Sequence, residues 1–178
     1  IEYSGSMIRR LREKATADQL PVTRGDMATT RVEGEFSLVY LVFNTIGNLL
    51  TQDAQVECFR NAAAHLRPGG RFVIELWVPD LRRMPPGVPA AVEVVKDGYI
   101  LVDTMDTLRQ HLISYHFRFG AGHDAHLGRS PHRYIWPSEL DLMGRLAGFG
   151  LESRWSDWAG SPFTEASTSH VSVYRLAG

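Results

Sequence analysis

The chain has 178 residues, and 19 Lys+Arg against 20 Asp+Glu leave a net charge of −1. With 44% hydrophobic and 22% charged residues it has the composition of a globular domain with a core, not of a disordered tail, a collagen-like chain or a coiled coil, and it lacks the basic surface that a nucleic-acid backbone requires. The longest apolar run, 38–43, is far short of the roughly 20 residues of a membrane helix, no signal peptide is read, and the lone Cys58 fits a reducing, cytoplasmic setting.

Along the chain, residues 6–17 place Met7, Ile8 and Leu11 at helical spacing among Arg and Glu, which predicts a short amphipathic helix. After Pro21, residues 22–27 read as a brief strand running into a loop. Residues 36–44 (FSLVYLVFN) form an apolar run rich in β-formers, as in a central parallel strand buried on both faces. Residues 53–66 predict a helix with Val56, Phe59, Ala63 and Leu66 on one face, stopped by Pro68-Gly69-Gly70. Residues 71–78 (RFVIELWV) are a second buried-type strand. Strand, helix, strand with short connections means a βαβ unit.

The pattern then changes. Residues 79–89 hold four prolines and read as a loop. Residues 92–95 and 99–102 flank Asp97-Gly98, a hairpin signal, and 112–119 alternate as a third antiparallel strand. Residues 120–131 read as a polar Gly- and His-rich loop. A helix opens at Trp136-Pro137-Ser138-Glu139 and runs to about Ala147 before Gly148. Residues 151–155 and 170–176 are the last two strands. The expected fold is α/β: a doubly wound, Rossmann-like, mostly parallel sheet with an antiparallel last strand and an antiparallel β insertion at 80–135. The whole, 1–178, reads as one domain.

Several short signals stand in a set order. They are Ile1-Glu2-Tyr3-Ser4 with Met7, then Gly25-Asp26-Met27, then Leu41-Val42-Phe43-Asn44, then Leu66-Arg67-Pro68-Gly69-Gly70 before Arg71-Phe72-Val73-Ile74, and last Ala147-Gly148-Phe149-Gly150-Leu151. Together they resemble class I S-adenosylmethionine-dependent methyltransferases, in the small-molecule branch of amino-sugar N-methyltransferases and the glycine N-methyltransferase type. The resemblance implies S-adenosylmethionine as cofactor, with Glu2 on the ribose hydroxyls, Met7 beside the adenine, and Gly25, Asp26 and Met27 at the adenine amino group. It implies Phe43 and Asn44 at the strand end that faces the methyl group. The family's glycine-rich loop does not occur in this sequence, and Ile1 is not an initiator methionine. An upstream βα segment of about 30 residues or more is therefore expected before Ile1, holding the sheet's central strand.

The residues support these roles physically. Ligands of open α/β sheets bind at the carboxyl ends of the strands, where Glu2, Asp26 and Asn44 fall, and a carboxylate accepts two hydrogen bonds from vicinal hydroxyls. Methyl transfer needs chiefly orientation of the acceptor, with a base for an ammonium or hydroxyl. Five of the seven histidines (His111, His116, His123, His126 and His132) lie in the insertion or its exit, which would cover the strand ends as a lid. His116 is the first candidate for a base or orienting group. In a strand it and Tyr115 point to opposite faces, so one of the two faces the pocket. His123, Asp124, His126 and His132 match no strict metal-ligand motif, and no metal is assigned. Trp77, Tyr134, Trp136, Trp155 and Trp158 are core or pocket aromatics.

The expected function is methyl transfer to a nitrogen or oxygen of a small molecule, with no nucleic-acid or membrane partner and with a homodimer left open. The competing readings are a nicotinamide-dependent oxidoreductase, since an acidic residue after strand two also serves a dinucleotide ribose, and a non-catalytic binding module that kept the fold.

Overall fold

The computed structural model describes residues 1–120 and 124–178. Its elements in chain order are α1 (Gly5–Arg12), β1 (Phe36–Leu41), α2 (Gln52–Ala63), β2 (Leu66–Trp77), β3 (Ala91–Lys96), β4 (Tyr99–Asp106), β5 (His111–Phe119), β6 (Ala125–Arg133), α3 (Pro137–Leu146), β7 (Phe149–Trp155) and β8 (Ser169–Leu176). They form two four-stranded sheets, ordered β1-β2-β8-β7 and β3-β4-β5-β6.

In the first sheet β1 runs parallel to β2, and β8 is antiparallel to both β2 and β7. The expected antiparallel last strand is there. The expected mostly parallel sheet is not: among the described residues one strand pair is parallel, joined only by an isolated parallel bridge between Glu2 and Arg24. That bridge is all that forms of the strand expected at 22–27. Strand β1 departs from expectation too. It ends at Leu41, and Phe36, Leu38 and Tyr40, which share one face by the two-residue period, are exposed, while Val39 and Leu41 pack against the core.

Helix α2 starts at the Thr51 cap, whose Oγ1 accepts from the Ala54 amide at 3.2 Å, with Asp53 in its first turn. It ends at Ala63, before Pro68-Gly69-Gly70. Those residues lie inside β2, where the register against β1 shifts between Phe36 and Leu38 and Gly69 takes φ +74°. The signal read as a helix stop is a bulge at a strand start. Helix α1 is shorter than expected and begins at the Ser4 cap. Helix α3 has Pro137 in its first turn and Glu139 beside it, as expected.

Helices α2 and α3 cover one face of the first sheet. Phe59 of α2 meets Phe72 of β2 (ring centroids 5.1 Å), Tyr174 of β8 (5.6 Å) and Phe149 of β7 (6.2 Å), all edge to face. Ile74, Leu140 and Met143 complete this buried core.

The second sheet is an antiparallel meander. Its first turn is the expected Asp97-Gly98, with Gly98 at φ +67°. The loop expected at 120–131 is instead largely strand β6, paired with β5 from Ala125 to Arg133. The alternation Ala125, Leu127, Arg129, Pro131 against His126, Gly128, Ser130, His132 carries it, and Pro131 is tolerated because β6 is an edge strand.

Candidate active site

At the carboxyl end of β1 the chain turns sharply. Phe43 and Asn44 both take left-handed φ, 53° and 57°, a conformation costly for a bulky residue such as phenylalanine. Glu75 of β2 holds the turn: its Oε2 accepts from the Phe43 amide at 2.8 Å, and its carbonyl accepts from the Asn44 amide at 3.2 Å. Thr45 Oγ1 donates to the Val42 carbonyl at 2.6 Å, and a 3-10 turn, Thr45–Asn48, follows. Glu75 escaped the sequence reading because it looks like one outward residue of an apolar strand.

Beside this turn lies a cleft of about 630 Å³. Glu2, Gly25, Asp26 and Met27 line it together with Leu41 and Thr45. Met7, Phe43 and Asn44 do not line it: Met7 is on the exposed side of α1, and Phe43 is 87% exposed at the tip of the turn. The acceptor set suits an adenosine. Glu2 Oε1 accepts from the Ser4 amide at 2.7 Å and Asp26 Oδ1 from the Ala28 amide at 2.8 Å. These bonds fix both carboxylates, and each keeps a second oxygen for hydroxyl or amino donors. Gly25 is required by space, since a Cβ there would lie 2.1 Å from Thr30 Oγ1.

The second sheet is anchored at the same end of the molecule. Gln55 Nε2 donates to the Leu49 and Arg133 carbonyls at 2.9 and 3.3 Å, and His111 Nε2 donates to the Leu50 carbonyl at 2.9 Å. The buried Arg133 guanidinium donates to Gln55, Gln110 and Glu139 at 2.5, 3.0 and 2.7 Å. Burial alone would raise the Glu139 carboxyl, but hydrogen bonds from Gln110, Arg133 and Gln52 outweigh it and hold it below its usual range. Trp77, Tyr134 and Trp136 stack in sequence at 6.5 and 6.3 Å. Trp155 and Trp158 are exposed and apart from them.

His116 sits on the more covered face of this sheet, its Nδ1 2.8 Å from Tyr99 Oη and its Nε2 3.0 Å from Ser130 Oγ. Tyr115 points to the opposite face, under the Arg129 guanidinium at 5.5 Å. His126 is exposed, and His123 lies outside the described residues. Among the described residues no three His, Cys, Asp or Glu side chains gather as a metal site. No described helix is long and apolar enough to cross a membrane.

No family model matches the chain. The CcbJ methyltransferase of Streptomyces caelestis superposes with a TM-score of 0.88 and 34% identity, over 99% of this chain and 78% of that one. The cypemycin N-terminal methyltransferase of a Streptomyces species is 24% identical across 97% of the chain and 71% of its own length. The dTDP-3-amino-3,4,6-trideoxy-alpha-D-glucopyranose N,N-dimethyltransferase of Streptomyces venezuelae is 29% identical over 111 residues, and the match spans 45% of that protein. By its fold and its identity to the methyltransferase of known structure, the chain belongs to the S-adenosylmethionine-dependent methyltransferases.

Proposed function

We propose that the protein methylates an amine nitrogen of a small molecule, with the cofactor's adenosine in the cleft of Glu2, Gly25, Asp26 and Met27. S-adenosylmethionine, when bound, supplies a methyl group activated by its sulfonium. The observation that carries the reading is the convergence of two fixed carboxylates on one cleft beside the carboxyl end of a parallel strand. The second sheet, hung beside that strand end, is the lid that selects and orients the acceptor, with His116 as an orienting group and Asn44 and Phe43 at the mouth. In this reading the first sheet is the carboxyl half of a doubly wound, Rossmann-like sheet. One related enzyme is named for N,N-dimethylation of an amino sugar and another for methylating the N-terminus of cypemycin, and this favours nitrogen over oxygen here. The family leaves no place for the nicotinamide-dependent oxidoreductase or the non-catalytic module. Cys58, buried with its thiol pushed up to about 12 by desolvation and by Asp26, suits a reducing cytoplasm. A homodimer belongs to the same reading, and light scattering reads it directly.

Isothermal titration with S-adenosylmethionine should show binding that S-adenosylhomocysteine competes away; no heat from either defeats the assignment. Glu2→Gln keeps the acceptor for the Ser4 amide but removes the charge. It should raise the Kd of S-adenosylhomocysteine about tenfold, and an unchanged Kd removes Glu2 from the cleft chemistry.

A further inference from the structure

One polar cluster is used neither by the fold nor by the cofactor cleft. In the second sheet Asp103 of β4, Ser114 of β5 and Ser130 of β6 form one cross-strand row. Leu101, His116 and Gly128 form the next row toward one end, and Met105, Leu112 and His132 the next toward the other. By the two-residue period of a strand, all share one face. That face is the covered one: along β6, Gly128, Ser130 and His132 are half-buried, while Leu127, Arg129 and Pro131 on the other face are exposed.

Tyr99, His116 and Ser130 satisfy one another on this face. Asp103 and His132 do not. Asp103 is only 8% exposed, and its Oδ1 is buried with no hydrogen-bond partner among the described residues; His132 Nδ1 is buried in the same state. No described cation pairs with Asp103: every ion pair among the described residues lies elsewhere. A buried carboxylate oxygen without a donor bears its full desolvation cost. Two such groups on adjacent rows of one face suit a ligand that brings N–H donors and positive charge. A hydroxyl would satisfy one acceptor and no charge; an alkylammonium satisfies both. Burial, opposed by Asp103 and reinforced by His116, lowers the His132 imidazole below its usual value, so the ring is neutral at pH 7 and keeps one nitrogen lone pair free.

We propose that Asp103 and His132 form the acceptor-amine site: the Asp103 carboxylate pairs with the ammonium, and one of its protons passes to the His132 ring nitrogen turned toward it, leaving the nitrogen lone pair free. This rests on the reading of the protein as an amine methyltransferase.

The test uses S-adenosylhomocysteine analogues whose sulfur is replaced by a nitrogen bearing an aminoalkyl arm, ethyl to butyl, each with a hydroxyalkyl twin. Isothermal titration compares them on the full chain. At one arm length the amine should bind wild-type protein about tenfold more tightly than its twin. Asp103→Asn should abolish that preference and His132→Asn should reduce it, while both hold S-adenosylhomocysteine within about twofold of wild type. A preference absent at every arm length, or unchanged in both variants, overturns the proposal. If Asp103→Asn no longer binds S-adenosylhomocysteine, Asp103→Ser takes its place, and the same failure there makes Asp103 structural and ends the proposal. Wild-type protein that binds no S-adenosylhomocysteine overturns the cofactor reading, and this one with it, a result separable from the others.

Discussion

Phe43 is the residue whose conformation and environment agree least. It holds a left-handed φ of 53° yet exposes 87% of its surface, so packing does not compensate for a strain of about 1–3 kcal/mol. Strain of this kind is kept where a side chain is needed in place, and this one stands on a turn held by Glu75, between the cleft-lining Leu41 and Thr45. Phe43→Gly should therefore leave unfolding free energy within about 1 kcal/mol of wild type while weakening S-adenosylhomocysteine binding several-fold. Chemical denaturation and isothermal titration read the two effects apart, and unchanged affinity would make Phe43 a passive turn residue.

Among the elements, the junction of β6, α2 and α3 is the most exacting. Arg133 is buried, and its guanidinium reaches Gln55, Gln110 and Glu139. Arg133→Met keeps length and apolar contact but leaves the Glu139 carboxylate without its cation. It should cost about 3–5 kcal/mol, and urea unfolding in which the variant matches wild type would refute the junction's importance. The sequence shows this region unevenly. The hairpin at Asp97-Gly98 was legible because one dipeptide encodes the turn, and α3 because Pro137 and Glu139 mark a helix start. Strand β6 was not, because His126, Gly128, Ser130 and His132 read as loop composition although they alternate. Arg133 and Gln55 were invisible as partners, since nothing local links positions so distant in sequence. The cleft was half legible. Glu2, Gly25, Asp26 and Met27 meet in it, while Met7, Phe43 and Asn44, taken from the same short signals, fall outside its lining. Asp103 drew no reading from the sequence, because its missing partner is a property of the folded sheet alone.

At the scale of the whole molecule, acid stability follows from the core. His170 is fully buried on β8, its Nδ1 2.9 Å from Ser172 Oγ and its Nε2 without a partner among the described residues. Desolvation, aided by Arg154 and opposed by Asp141, lowers it from 6.5 to about 4. The unfolded chain takes up this proton near pH 6.5 and the folded chain only near pH 4. Stability is thus full above pH 6.5, falls by roughly 3 kcal/mol as pH drops between these values, and is flat in this term below them. Denaturant midpoints measured across that range should show the fall, and His170→Gln should flatten it; a wild-type midpoint constant from neutrality to about pH 5 would place the imidazole in a wetter setting. The anchoring of the second sheet has a mechanical consequence. Its strands are fastened at the end where His111 and Arg133 meet the body, and β5 runs nine residues away from that end, about 30 Å at the rise of an antiparallel strand. The sheet is a cantilever: a tilt of about 5° at the clamp carries its far end through roughly 2.5 Å over that length, so a sub-ångström adjustment at Arg133 is magnified into a displacement the size of a methyl group.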